Sequence, residues 1–339
     1  MTRHKVYIIL VNWNGWQMTL NCLESLFRLE YPFYQVVVCD NGSEDGSLER
    51  IRLWATQFNL PTTPVLTRTE AESGQIAPEM LTLIQTGGNL GFAGGANIAM
   101  RYAMARNDYD AVWLLNNDTQ VDPNALTHLV RRLQQKPEAG LCGSTLLWPD
   151  GKVQALGGGR YRPWLGITLD IGRHQAHQPM QPSEVEPRLH YINGASMLVS
   201  RRFLETVGLM REEYFLYYEE VDWAYRGKQQ GFQLAYAPDS IVYHLEGGSQ
   251  GGNARELLKS EPCDYYSLKN RLRFSRRFYP HCQLTVYLGL LLSLINRIRR
   301  RQWTRLPMII NICLESFQPQ FLTGQAPVRA NGNGRLSQC

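Results

Sequence analysis

The sequence predicts an α/β fold, a largely parallel sheet with helices on both faces, and three observations point there. Short apolar runs alternate with helical segments from Lys5 to Trp148. Of the 339 residues, 44% are hydrophobic and 19% charged, a globular balance. The most apolar run, AVWLLN, stops abruptly in Asn116, Asn117 and Asp118. In open α/β sheets ligands bind at the carboxyl ends of the strands, so polar side chains there have a use beyond a turn.

The elements follow in order. KVYIILVN (5–12) reads as a buried strand, and WQMTLNCLESLFRL (16–29) as a helix with Met18, Cys22, Leu26 and Leu29 roughly one turn apart. YQVVVCD (34–40) is the second strand and GSLERIRLWATQF (46–58) the second helix. Residues 61–80, rich in Pro, Thr, Glu and Ser, read as a surface loop. LTLIQT (81–86) is a strand, GGANIAMRYAMAR (94–106) a helix and AVWLLN (111–116) a strand. NALTHLVRRLQQ then forms a helix, with Pro123 near its first turn, and GLCGSTLLW a strand. Residues 148–190, rich in Gly, Pro, Arg and His, read as one long loop of a functional or mobile kind. Order resumes over 191–208 and 214–244. No internal repeat is visible.

Charge is uneven. Ten of the 35 Lys and Arg residues lie between Tyr265 and Leu314, where there is no Asp or Glu, while the chain as a whole carries +5. Such asymmetry predicts an anionic partner on one side. Two basic clusters, KNRLRFSRRF and NRIRRRQWTRL, flank LTVYLGLLLSLI (284–295), which is too short to span a membrane. Apolar residues between basic clusters read as an interfacial anchor on an anionic leaflet; a helix packed on the catalytic domain is the other reading. No nucleic-acid fold signature accompanies the charge. The start, MTRHKVYIILVNWNG, has no small-residue cleavage site, and seven scattered cysteines fit neither a disulfide framework nor a zinc site. A reducing cytosol suits them.

Four constellations carry chemistry. Asp40 ends the second strand in VVVCDNGSEDGS, where a carboxylate can accept from a base N–H and the turn opens a helix N-terminus suited to phosphate. TGGNLGFAGGANIA (86–99) packs five glycines into nine residues, allowing close backbone approach to a ligand, yet matches neither a Walker A loop nor a strict GxGxxG. YYEEVDW brings Glu219, Glu220 and Asp222 together. Carboxylates this close raise one another's pKa, as a base near neutrality requires; an acidic helix start would explain them too. His244 follows a strand and precedes a glycine loop, and with Asp118 it can hold a hard or borderline cation.

In order and spacing, IILVNWNG, CDNGSEDGS, NLGFAGGAN, LLNNDT, YINGASMLVSRR, FLYYEEVDWAYRGKQQGF and YHLEGGS resemble the family 2 glycosyltransferases of the GT-A fold. The resemblance runs from about residue 5 to 280 and is closest to the rhamnosyltransferase-like branch, which YYSLKNRLRF also resembles. It implies a Rossmann-like mixed sheet flanked by helices. The chain is expected to divide into a catalytic domain over 1–262, a C-terminal helical segment over 263–320 that the charge pattern places at a membrane surface, and a disordered tail over 321–339. It implies that Asp40 reads the nucleobase, that Asn12, Asn89, Gly91, Asn97 and Asn117 line the donor site, and that Asp118 and His244 hold a divalent metal, Mg2+ or Mn2+. Asn116 and Asn117 stand where the family's DXD-type motif has carboxylates, so the metal is held more weakly or by fewer protein ligands. Glu220 matches the catalytic base, and Asp222 orients the acceptor or Arg226.

The implied activity is inverting transfer of a sugar, rhamnose from dTDP-rhamnose in the leading case, from a nucleotide-diphosphate donor to a glycan or lipid-linked acceptor in cell-surface polysaccharide synthesis. The expected place is the cytoplasm, peripheral on the inner face of the plasma membrane. The alternative is a non-catalytic nucleotide-sugar-binding protein at that surface. Such a module would keep Asp40 and lose the acidic trio, which is present. A processive synthase would need transmembrane helices and a Gln-x-x-Arg-Trp motif, and neither is found in the sequence.

Overall fold

Apolar runs flanked by helices on both sides bury both faces of a strand, and β1 (Val6–Asn12) does so: Tyr7 and Ile9 join one core layer, Val6, Ile8 and Leu10 the other. The computed structural model describes residues 4–60, 65–74, 80–245 and 260–322. After β1 come α1 (Trp16–Leu26), β2 (Tyr34–Asp40), α2 (Ser47–Gln57), β3 (Leu66–Thr67), α3 (Arg68–Glu72), β4 (Leu81–Gln85), α4 (Gly91–Arg106), β5 (Ala111–Asn116), β6 (Thr119–Val121), α5 (Ala125–Gln135) and β7 (Ala139–Leu147). The expected alternation is present. Within 61–80, read as loop, β3 and the capped turn of α3 are ordered elements. Residues 61–64 and 75–79 lie outside the described residues.

Strands β3-β4-β2-β1-β5 run parallel, side by side in that order. The chain next adds β8 (Val153–Leu156), β9 (Gly158–Arg162), β10 (Ile167–Asp170), α6 (Pro182–Val185), β11 (Tyr191–Ile192), β12 (Ser196–Ser200), α7 (Arg201–Val207), α8 (Glu219–Gln229) and β13 (Gln233–His244). Here the sheet turns mixed: β12 pairs antiparallel with β5 and β7, and β8, β9 and β10 continue antiparallel beyond β7.

The long loop expected over 148–190 is therefore corrected: it carries the strands β8, β9 and β10 and the short helix α6. Its glycines mark close backbone approach, since a Cβ at Gly158 would collide with the Tyr191 carbonyl across the β9–β11 pair. Gly-rich composition reads as a loop in sequence and serves here as tight strand packing.

The C-terminal segment is helical as expected: α9 (Glu261–Phe278), α10 (Gln283–Arg299) and α11 (Leu306–Ser316). It is not a body apart. Phe274 of α9 lies in the same core cluster as Tyr161 and Tyr218, while Leu268 and Leu272 one face away pack with Val286, Leu290, Ile309 and Ile312 of α10 and α11. Packing also runs past the expected start of the tail. Phe321 is buried, its carbonyl accepts from Arg273 Nε at 3.0 Å, and the Leu322 carbonyl accepts from Arg277 at 2.7 Å. The remainder of the tail lies outside the described residues. Among the described residues no helix is long and apolar enough to cross a membrane.

Candidate active site

Three strand ends meet in a buried polar network. The register sets Asn12 of β1 beside Asp40 of β2, and Asn12 Nδ2 donates to Asp40 Oδ1 at 2.8 Å. Ser43 in the following turn donates its N–H to Asp40 Oδ2 (3.0 Å) and its hydroxyl to Oδ1 (2.6 Å). Asn12 Oδ1 accepts from Thr19 Oγ1 at 2.8 Å and Asn117 Nδ2 at 3.4 Å. The network sits outside the carboxyl ends of the parallel strands, where β2 and β5 flank β1 and the strand order reverses.

Asn41, unmarked in the sequence, ties this turn to the glycine segment. Its Nδ2 donates to Asn89 Oδ1 (3.1 Å) and the Gly91 carbonyl (3.0 Å), and its Oδ1 accepts from Leu90 N (3.1 Å). Asn89 is exposed beside it. Gly91 takes φ +72, and the close approach it permits is to the protein's own Phe215 carbonyl, which accepts from Phe92 N at 2.8 Å. Asn97 is also committed internally: it exchanges bonds with the Met210 backbone (2.9 and 3.2 Å) and donates to Glu212 Oε1 (2.9 Å). Gly91 and Asn97 thus reach the site through the segment leading into α8, and the structure does not bring Asn97 into the strand-end network.

Asp118 and His244 do come together, because β6 pairs with β13 and sets Thr119 against His244. His244 Nε2 lies 3.1 Å from Asp118 Oδ1 and 3.2 Å from Asn116 Nδ2. Its Nδ1 is 2.9 Å from Gln154 Oε1, and a proton donated there would leave the Nε2 lone pair turned toward Asp118. An imidazole nitrogen and a carboxylate oxygen at that spacing fit neighbouring positions around one small divalent cation, with metal–ligand bonds of about 2.1 Å. Gln154 is the outer partner that orients such a histidine. It lies in the stretch read as loop, which is why the sequence did not mark it. Among the described residues no third His, Cys, Asp or Glu joins the pair. The glycine loop noted after His244 lies outside the described residues.

The acidic trio divides by role. The turn before α8 holds Phe215, Tyr217 and Tyr218 at positive φ (61, 68 and 72°), conformations that cost about 1–3 kcal/mol each and persist only under constraint. The constraint is buried Asn270 of α9, whose Nδ2 donates to the carbonyls of Tyr214 (2.6 Å), Leu216 (2.8 Å) and Tyr217 (3.0 Å). This turn aims Glu220 into a cleft of about 240 Å³ formed with Thr168 of β10, Tyr217, Tyr218, and Ser267 and Arg271 of α9.

Burial and the nearby Asp170 charge push Glu220 up to about 7, against opposing backbone hydrogen bonds. Burial first, then the Glu220 charge, holds Glu219 well above the usual carboxylate range. Among the described residues, one oxygen of each, Oε2, is buried without a hydrogen-bond partner. Asp170 itself is raised by burial and held by Tyr191 OH (2.9 Å) and Asn193 Nδ2 (3.3 Å). Asp222 points elsewhere. It is fully buried and paired with Arg226 Nε at 2.6 Å and with Arg277 and Arg211 at 3.5 Å.

Solved structures of similar fold include the mannosyltransferase PcManGT from Pyrobaculum calidifontis in complex with GDP-Man and Mn2+ (TM-score 0.53, 14% identity, 93% of this chain and 88% of that one). S. aureus TarS 1-349 is also similar (TM-score 0.54, 13% identity, 94% and 81%). The fold is accordingly an α/β sheet of GT-A type. A family model described as Glycosyl transferase family 2 matches residues 7–208, and the chain belongs to that family. It is a glycosyltransferase, which sets aside the non-catalytic alternative. The N-acetylglucosaminyl-diphospho-decaprenol L-rhamnosyltransferase of Mycobacterium tuberculosis is 27% identical over 254 residues, 70% of this chain and 75% of that protein. The low-salt glycan biosynthesis hexosyltransferase Agl10 of Haloferax volcanii is 24% identical over 155 residues, 44% of this chain and 47% of that protein.

Proposed function

We propose that this chain is an inverting transferase that moves rhamnose from dTDP-rhamnose to a hydroxyl of a lipid-linked glycan in cell-surface polysaccharide synthesis. The observation that carries the catalytic reading is Glu220, a half-buried carboxylate in a cleft, raised to about 7 and with an oxygen that has no partner among the described residues. A base at neutral pH needs that balance. The rhamnosyl donor and the lipid-linked acceptor are supported by the mycobacterial relative's name.

Glu220 takes the proton of the acceptor hydroxyl as its oxygen attacks the anomeric carbon. The bond from that carbon to the donor diphosphate breaks on the opposite face, and its electron pair leaves with the nucleotide. Asn12 and Ser43 hold the Asp40 carboxylate in place to accept from the base. Asp118 and His244 would hold a divalent cation, which supplies charge neutralisation for the leaving diphosphate. Burial and the Glu220 charge both disfavour ionisation of Glu219 beside that base.

The location is the anionic inner face of a membrane. On α10, Leu284, Leu288, Leu291, Leu292 and Ile295 form one exposed stripe, with exposed Arg299, Arg300 and Arg301 at its end.

Donor hydrolysis across a panel of nucleotide sugars, followed by the anomeric configuration of the product with a lipid-linked acceptor, tests the reading. Preference for dTDP-rhamnose with inversion is expected. Retention would remove the single-base mechanism, and preference for another donor would move the sugar assignment.

A further inference from the structure

Arg271 is 8% exposed, yet its Nε is buried without a partner, and among the described residues its guanidinium makes no hydrogen bond or ion pair. Its neighbours on α9 are satisfied. Arg273 donates to the carbonyls of Phe321 and Glu213 and to Asn270 Oδ1, and Arg277 pairs with Glu213 at 2.9 Å. A buried cation without a counter-charge is costly and is normally neutralised. Burial does pull Arg271 below the usual guanidinium range.

The surrounding chain makes room for this side chain. A Cβ at Gly289 of α10 would collide with a terminal nitrogen of Arg271, and one at Gly166 would crowd its stem. Two glycines thus accommodate a guanidinium that faces the cleft holding Glu220.

We propose that Arg271 is an anion subsite of the acceptor cleft, binding a phosphate of a sugar-phosphate acceptor while Glu220 meets that sugar's hydroxyl. This rests on reading Glu220 as the base. A guanidinium matches phosphate oxygens in a bidentate fork and is the side chain suited to that ligand when buried. The Asp118–His244 pair, where the donor diphosphate is assigned, is not among the residues that line this cleft. The cleft opens near apolar surface. Next to Gly166 are exposed Trp164 and Leu165, and Trp164 meets His281, just before α10, edge-on at 6.0 Å. A phosphate carried on a lipid would approach from that side.

The test is calorimetry on the full chain with the donor side filled by a nucleoside diphosphate. Three ligands are compared: a hexose 1-phosphate, its uncharged methyl glycoside, and a short-prenyl diphosphate-linked sugar. Charge-assisted bonds of this kind predict that both phosphates bind about 10- to 100-fold tighter than the glycoside. Arg271→Gln should erase that preference and Arg271→Lys keep part of it. Neither should lower Tm, because no partner is lost. A further gain for the prenyl ligand assigns the phosphate to a lipid; equal binding of the two phosphates assigns it to a free sugar phosphate. The subsite is overturned if the wild type does not distinguish charged from uncharged ligand, or if Arg271→Gln keeps the preference. Glu220→Gln separates the two readings. It should retain the phosphate preference while turnover falls, and an active Glu220→Gln removes the base while leaving the anion measurement to stand by itself.

Discussion

Glu219 and Glu220 are adjacent in sequence and unequal in environment, and the difference has measurable consequences. Glu220 lines the cleft; Glu219 does not, and burial raises its carboxyl well above the usual range. Glu220→Gln keeps the shape but accepts no proton, so kcat should fall about 10²- to 10⁴-fold with donor affinity near wild type. Glu219→Gln should be mild, since its side chain does not line the cleft. The sign of the pH dependence follows from the raised Glu220. The base is protonated below about 7, so kcat/KM should climb with pH through about 7 and then level off, and Glu220→Gln should lose that limb. Stability runs the other way. Between the ordinary 4.5 and about 7 the folded chain binds the extra proton, so this group's contribution declines as pH rises through that window. A limb that persists in Glu220→Gln would move the base elsewhere. At the other end of the site, Asp118→Ala should lose metal-stimulated turnover with little change in Tm, because it removes a strand-end carboxylate rather than core packing. Wild-type rates that still vanish with chelator would refute the assignment of Asp118 to the metal.

At the scale of elements, α9 acts on the site through the turn before α8. One amide, Asn270, serves three carbonyls of a turn with three non-glycine residues at positive φ. Asn270→Ala should destabilise the fold by about 2–3 kcal/mol, since buried carbonyls are left unmatched. Because the turn aims Glu220, kcat should drop further than the donor KM changes. Equal kcat in the variant would mean that α8 holds its position without the clamp. Arginine bookkeeping on the C-terminal helices also corrects a simple count of charge. Arg273, Arg276 and Arg277 donate to carbonyls, Arg297 and Arg305 pair with Asp264, Lys269 pairs with Glu315, and Arg271 is buried. Of the ten basic residues from Tyr265 to Leu314, Arg299, Arg300 and Arg301 are the ones left exposed.

Across the whole molecule, that correction sets the size of the membrane effect. With three free arginines near a leaflet, each worth about 1 kcal/mol, electrostatics alone gives modest binding, and the apolar stripe of α10 supplies the rest. Sedimentation with anionic vesicles should show binding that weakens, without vanishing, at high salt. Replacing Arg299, Arg300 and Arg301 by Ser should flatten the salt dependence, while Leu288→Asp with Leu292→Asp should abolish binding. Full-length protein that never binds would leave the stripe without this occupant.

Much was legible from local pattern. The alternation of the parallel half followed from buried runs separated by helices; Asp40 and Asn116–Asp118 stood out as polar ends of apolar runs, while Asn12 and the donor-site role of Asn117 came with the family resemblance. The His244–Asp118 pairing was expected from residue type, and the β6–β13 register brings the two together. What stayed hidden depends on distant segments meeting. The hairpins of 148–190 were masked because glycine signals loops in sequence yet here permits backbone contact. Gln154, Asp170 and Asn270 have no local signature, since each matters only through a partner more than 45 residues away or across the cleft. Local periodicity by itself determined the alternating strands and helices of the parallel half, though not β3, α3 or the strands within 148–190. Tertiary structure alone decided which carboxylate faces a cleft, which arginines are already neutralised and which one is not, because burial and ion pairing depend on the whole set of neighbours that folding brings together.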